Sequence, residues 1–471
     1  MAYPYLVPGL DVFISDPTVL SPDADTEPKA KCLYIPNDYL HCINDFYHEQ
    51  SSRGDAAREL THIMSNILDH RDRQGVFTCA NGMQIIFESL NINEDHFDAL
   101  DPHSSRGLAL MLINRLTKRD LSRKQIAIMT GSDPLAALAS LHHFNVAHVN
   151  PDVYAGRRRV KMPLDFCSEW YNHGCLSAAR CDELFADQPL RLNEYVEFYD
   201  EVDHNRCNNT FANVGRYYGE EKGLCQLQHH KFDHPAYNRF YPKNAGQAMV
   251  IDALLASPND LPIVVISGTF GTGKTFLATA AGYLQTAEPD NRIYDRIFVC
   301  PRDGALGKEI GFVPGDTYEK TRVKAKPVED NLRAVLKLRK ADAVKKGNNG
   351  FCQSESIQAR VEKDLEQYFE FEPLINMGGR SLSDVFIILD EFQDIERYQA
   401  KALLSRIGEN SKIVVLGDPS QTTNPHLNRT SNGLSFIASK LAGQEGAAVI
   451  TLNSDEIVRS PAAQRIAECL A

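Results

Sequence analysis

Gly268-Thr269-Phe270-Gly271-Thr272-Gly273-Lys274-Thr275 constrains this chain more than any other stretch, because it satisfies GxxxxGK[ST] in full. An apolar run, Ile263 to Ser267, leads in, and an Ala- and Leu-rich segment, Phe276 to Gln285, leads out, so the order predicts strand, loop and helix. Glycine permits backbone angles that a side chain forbids, which lets successive N–H groups converge on a phosphate. The helix N-terminus adds its partial positive charge. Lys274 is then expected on the β- and γ-phosphates and the Thr275 hydroxyl on Mg²⁺. A glycine-rich turn with no ligand is the competing reading, and the flanking pattern disfavours it.

A second block agrees. Val385-Phe386-Ile387-Ile388-Leu389 is an apolar run ending in Asp390-Glu391. Acids directly after a buried strand lie at the carboxyl end of a sheet, where open α/β folds bind ligands. Asp390 is expected as the Mg²⁺ partner and Glu391 as the group that polarises the attacking water. A third run, Ile413 to Leu416, leads into Gly417-Asp418-Pro419-Ser420-Gln421. Gln421 or Asp418 would there sense the γ-phosphate, although an ordinary turn has the same composition.

A chain of 471 residues exceeds one ordinary core, and three regions are expected. Residues 1–155 alternate β-branched runs, such as Asp11-Val12-Phe13-Ile14 and Ile126 to Thr130, with helical stretches, and read as a small α/β domain. Residues 156–235 read as a β-rich connector, and 236–471 as the nucleotide-binding domain. No window holds enough apolar residues to cross a membrane, and the N-terminus lacks a signal-peptide pattern. Eleven cysteines without CxxC spacing fit free thiols, so the cytoplasm is expected. Cys167, His173, Cys175 and Cys181 invite a zinc reading but lack ligand spacing, and His229, His230 and His234 read as an exposed loop cluster.

The net charge of −12 excludes wholesale coating by nucleic acid, but residues 320–346 carry ten Lys or Arg against three acids. Lys337, Arg339 and Lys340 are the candidate phosphate-backbone contacts. The alternative is a solvated amphipathic helix with Val328, Leu332, Val335 and Leu336 as its buried stripe. Arg157-Arg158-Arg159 is a shorter basic run.

These blocks resemble the PhoH family, whose ATPase domain is similar to the motor domain of superfamily-one helicases. The correspondence runs from about 241 to 468 and includes Lys308 to Asp316, Gly379 to Leu382, Asp390 to Asp394, Gly417 to Gln421, Asn432 to Leu434 and Glu456 to Pro461. The resemblance implies a RecA-like P-loop NTPase core that hydrolyses ATP with Mg²⁺, coupled to unwinding or remodelling of a nucleic acid, RNA in preference to DNA. It also implies a homo-oligomeric ring, with a hexamer as the family's pattern. Asn244 to Gln247 looks like the adenine-reading segment, with Gln247 as reader; Arg459 is the candidate arginine finger and Arg380 a second cation near the phosphates. One departure is Cys300-Pro301, where the family commonly has Arg-Pro.

The N-terminal region resembles the PIN nuclease domain fused ahead of PhoH in a two-domain subgroup. A PIN site gathers carboxylates on Mg²⁺ or Mn²⁺ to activate water. Asp11 fits the first position, but Cys42 or His41 stands at the second and Ser104 at the third, while the fourth falls on Ser132 or Asp133. Asp45 and Asp101 are candidate substitutes, so a PIN remnant would comprise Asp11, Asp101 and Asp133. A PIN-like domain with a degenerate site is expected. Two alternatives to helicase-like work stay open: an ATP-switched assembly or regulatory module, and an active PIN ribonuclease coupled to the ATPase.

Overall fold

The computed structural model describes residues 3–22, 28–49, 52–91, 101–119, 121–148, 155–199, 212–227, 241–300, 326–345, 356–371, 382–423, 427, 429 and 432–458. The chain forms two compact units, Met1–Asp152 and Val153–Ala471. None of the described helices is long and apolar enough to cross a membrane.

The described residues of the first unit form six strands: β1 (Tyr5–Pro8), β2 (Cys32–Pro36), β3 (Val76–Thr78), β4 (Gln84–Glu88), β5 (Ile126–Thr130) and β6 (Asn145–His148). They lie in the order β3-β4-β2-β1-β5-β6, parallel except for the β3–β4 pair. Both faces are covered, and β1 and β5 show it residue by residue. Leu6, Ala127 and Met129 enter one core, and Val7, Ile126 and Ile128 the other. The run Asp11 to Ile14 is not a strand, contrary to its β-branched composition. It lies in the helix Leu10–Ser15, which buries Leu10, Val12 and Phe13, so packing overrides propensity over this one short turn.

The described residues of the second unit form two sheets. The first comprises β7 (Arg157–Lys161), β8 (Cys175–Leu176), β9 (Tyr195–Tyr199), β10 (Val214–Tyr217) and β11 (Leu224–Gln226), in the order β7-β9-β10-β11-β8. Its pairs are antiparallel apart from β7–β9. Trp170, fully buried, anchors the helix Leu164–His173 against it and donates from Nε1 to the Ala212 carbonyl. Cys175 and Cys225 face each other across β8 and β11 and form a disulfide. The expectation of free thiols throughout is therefore corrected: strand register unites two cysteines fifty residues apart in sequence. Among the described residues, Cys32, Cys42, Cys79, Cys167 and Cys181 stay outside any disulfide.

The second sheet is wholly parallel: β12 (Ile263–Gly268), β13 (Arg296–Cys300), β14 (Phe369–Phe371), β15 (Val385–Leu389), β16 (Lys412–Gly417) and β17 (Ala447–Leu452), in the order β14-β13-β15-β16-β12-β17. Its residues alternate between two cores. Val264, Ile266, Ile388 and Val414 pack with the helices Ala245–Leu255, Lys274–Ala287, Lys326–Lys345 and Ile357–Tyr368. Val265, Ile387, Ile413 and Val415 pack with Arg397–Leu404 and Gly433–Leu441. This doubly covered parallel α/β sheet is that of a P-loop NTPase core. β12, flanked by β16 and β17, delivers the phosphate loop to the carboxyl edge, and β15 delivers Asp390 to the same edge.

Candidate nucleotide site

The loop between β12 and the helix Lys274–Ala287 adopts the strained geometry its glycines allow. Gly273, the residue that opens the helix, holds φ at +90°. Lys274 Nζ lies against the loop, donating to the Gly268 carbonyl at 2.6 Å and the Thr269 carbonyl at 3.0 Å. Burial lowers the Lys274 pKa, opposed by the carboxylates of Asp418, Asp390 and Glu391. Three acids and one ammonium thus share one small, partly dehydrated space.

The two acidic positions after β15 differ in role. Asp390 Oδ2 accepts from the Thr275 hydroxyl at 2.9 Å, and Oδ1 accepts from the Glu391 N–H at 2.9 Å. Burial raises the Asp390 pKa, and these two hydrogen bonds pull it back. Glu391 adopts a left-handed backbone, φ +55° and ψ +38°, a rare conformation for a residue with a side chain. Its Oε2 accepts from Gln393 Nε2 at 2.6 Å, while Gln393 Oε1 accepts from the Asp418 N–H at 3.0 Å. After β16, Asp418 Oδ2 accepts from Gln421 Nε2 at 2.7 Å, and Oδ1 accepts from Ser420. Gln393 therefore connects Glu391 to the turn Gly417 to Gln421, a link the sequence reading of Asp390 to Asp394 did not assign.

These groups line one cavity of about 450 Å³, which contains Lys274, Thr275, Asp390, Glu391, Asp418 and Gln421. Phe270, Gly271, Gly273 and Val458 line it as well, together with Pro327, Asp330 and Asn331 at the start of the helix Lys326–Lys345. Thr272 lies buried beneath, its hydroxyl donating to the Thr269 carbonyl. Gln247 is buried too, donating from Nε2 to the Thr272 carbonyl at 3.0 Å and accepting at Oε1 from the Lys243 N–H at 3.0 Å. An amide group offers two donors and two lone pairs, so one of each remains on Gln247. The Val458 N–H donates to the Gly271 carbonyl at 2.9 Å, which ties the segment ahead of position 459 to the phosphate loop. Arg459 and Arg380 lie outside the described residues, as do His229, His230 and His234.

The other candidates separate into used and free groups. Val328, Leu332, Val335 and Leu336 form the buried stripe of the helix Lys326–Lys345, as its spacing predicts. Lys337 on the same helix is exposed, and the Arg339 and Lys340 side chains lie outside the described residues. Arg157 and Arg158 are not a basic surface. They are 7% and 16% exposed and pair with Glu456 and Glu194, leaving only Arg159, at 59%, open to solvent. Of the four residues that invite a zinc reading, Cys175 is taken up in a disulfide, and the Cys167 thiol donates to the Pro163 carbonyl.

In the first unit, Asp11 Oδ2 accepts from the Thr130 hydroxyl at 2.9 Å and the Gly131 N–H at 2.8 Å. Asp101 Oδ1 accepts from the His103 N–H. Cys42 sits close enough to Asp45, Asp38 and Asp101 for their charges to add to burial in raising its pKa. The Asp133 side chain lies outside the described residues. Among the described residues, no group of three or more His, Cys, Asp or Glu side chains could hold a metal ion.

Residues 239–471 match the model of the PhoH-like protein family. The chain is 38% identical to Protein PhoH2 of Bacillus subtilis (strain 168) over 350 residues, covering 74% of this chain and 72% of that protein. It is 34% identical to a PhoH-like protein of Synechocystis over 201 residues, 43% of this chain and 54% of the relative. Protein PhoH2 of Thermobispora bispora is 34% identical over 229 residues, 48% of this chain and 47% of the relative. The chain thus spans only about half the length of these last two relatives.

Proposed function

This chain belongs to the PhoH family and carries the site of a P-loop ATPase, and from that premise we propose that it couples Mg²⁺-dependent ATP hydrolysis to unwinding or remodelling of RNA. The observation that carries the reading is the meeting of Thr275, Asp390, Glu391 and Lys274 in one cavity. Thr275 and Asp390 offer adjacent oxygen donors, the ligand type that a hard, six-coordinate cation takes. Mg²⁺ held there would neutralise phosphate charge. The loop N–H groups and Lys274 would orient the triphosphate, and Glu391, fixed by Gln393, would take hydrogen-bonding hold of the attacking water. Gln421 and Asp418 would sense the terminal phosphate, and Arg459 and Arg380 would add cations to it. On Gln247, the remaining donor and lone pair match adenine N7 and N6.

The nucleic-acid side of the proposal rests on the helicase-like resemblance and on the Lys337 face of the helix Lys326–Lys345, continued by Arg339 and Lys340 in sequence. A ring of like subunits would supply further groups to each site. We take the first unit as PIN-like, with Asp11, Asp101 and Asp133 as remnants of its acidic site. Cys42 and Ser104 stand where a PIN site has carboxylates, which favours a binding or assembly module over a ribonuclease using Mg²⁺ or Mn²⁺. An ATP-switched assembly module is the second reading.

The test is the ATPase rate with and without RNA or DNA, for the full chain and for Glu391→Gln. Turnover should rise with RNA, should lose the stimulation as salt increases, and should vanish in Glu391→Gln. A rate indifferent to any polymer would sink the remodelling role and leave the switch.

A further inference from the structure

The sheet β7–β11 does not line the nucleotide cavity, yet one of its side chains holds the turn that carries Gln247. Arg157, the first residue of β7, pairs with Glu456 at 2.7 Å and lies 3.6 Å from Glu197. Glu456 is itself a junction. Its Oε1 accepts from the Gly246 N–H at 2.9 Å, its Oε2 accepts from the Asn453 N–H at 2.9 Å, and its carbonyl accepts from the Asn244 amide at 3.2 Å. A Cβ at position 246 would stand 2.5 Å from the Arg157 guanidinium and 2.6 Å from the Glu456 carboxylate, so glycine is what lets the ion pair touch the helix. The next residue is Gln247, bonded to Thr272 in the phosphate loop. Two residues beyond Glu456, the Val458 N–H is bonded to Gly271.

Charge explains the arginine. The Glu456 side chain is 8% exposed and that of Glu197 16%, and the same guanidinium faces both. Without it, two neighbouring carboxylates would share a poorly hydrated space, and Glu456 would leave its place against the Gly246 N–H. The planar fork of arginine can serve two acceptors at once, which a lysine does less well.

We propose that Arg157 is a positioning residue for the base-reading end of the nucleotide site, acting through Glu456 on Gln247. The proposal rests on Gln247 as the reader of adenine. A base contact made by one amide group tolerates little displacement, so the effect falls on the choice of base before it falls on turnover.

Steady-state turnover of ATP and GTP by the full chain tests it, for wild type, Gln247→Ala, Arg157→Ala, Arg157→Lys and Glu456→Gln, with Tm measured for each. The kcat/KM ratio of ATP over GTP should fall by about tenfold in Gln247→Ala, Arg157→Ala and Glu456→Gln, and Arg157→Lys should restore part of it. A purely structural role would lower Tm and both nucleotides together and leave the ratio unchanged. That result in Arg157→Ala and Glu456→Gln, beside a lost ratio in Gln247→Ala, overturns the proposal; if Arg157→Ala does not fold, Glu456→Gln decides. A wild type without preference for ATP, or a Gln247→Ala that keeps it, overturns base reading by Gln247 and this proposal with it.

Discussion

Gln393 is fully buried and spends both ends of its amide, one on Glu391 and the other on the Asp418 N–H. A side-chain amide carries a donor at one tip and an acceptor at the other, as these two neighbours require. A Cβ on Gly417 would collide with its Oε1, so the space around the amide is fitted to it. The left-handed backbone of Glu391 costs on the order of 1–3 kcal/mol and persists only where neighbours fix it. Gln393→Glu would set a second carboxylate against Glu391 in place of a donor. We expect kcat to fall by about ten- to a hundredfold, with ATP affinity changed by less than about threefold. Single-turnover hydrolysis alongside nucleotide titration checks this, and an unchanged kcat would mean that Glu391 is oriented by something else.

Lys412 opens β16 from the inside of the protein. Its Nζ donates to the carbonyls of Ala253, Leu254 and Ala256 at 2.8, 3.3 and 2.7 Å, the open carbonyls that end the helix Ala245–Leu255. Burial, then the charge of Arg216, pull its pKa down to about 7. An unfolded lysine holds its proton to about 10.4, so between those values the unfolded chain binds the extra proton and stability rises with pH. The penalty is complete below about 7. Denaturant titrations should show wild type gaining on Lys412→Met as the pH rises from neutral towards 10, and parallel curves would remove Lys412 as the cause. Sequence could not have shown this, because a lysine beside an apolar run reads as the solvent end of a strand. What was legible follows the same physics. Strands buried on both faces write themselves as apolar runs, so β12, β15 and β16 stand within a residue of their expected ends. β14, three residues long, left no such mark. The ion pairs of Arg157 and Arg158 were hidden because their partners come from distant segments, and so was the Cys175–Cys225 bridge. That the glycine-rich loop, Asp390 and Glu391 meet at one edge of a sheet was legible because residue type and order are both fixed there.

The boundary that composition suggests near residue 235 does not coincide with a gap in the packing. Tyr195 donates to Asp252, Arg216 pairs with Asp260, Asn193 donates to the Ala447 carbonyl, and Thr451 donates to the Ala155 carbonyl, all across that line. Cutting there would strand Asp252 and Glu456, both buried, without their partners, and breaking a buried pair costs about 3–5 kcal/mol. A fragment 153–471 should therefore melt cooperatively and keep ATPase activity, whereas 236–471 should be unfolded or aggregated by circular dichroism and light scattering. A well-folded, active 236–471 would show that the sheet β7–β11 is dispensable. Every residue from Gly246 to Leu255 is buried, with the Glu456 carboxylate at one end of that helix and the Lys412 ammonium at the other. In mechanical terms the helix is a strut, pinned at both tips and braced along its length. Such a strut links the place of Arg157 in the sheet β7–β11 to the place of Gln247 beside the phosphate loop, so the two are held in one frame.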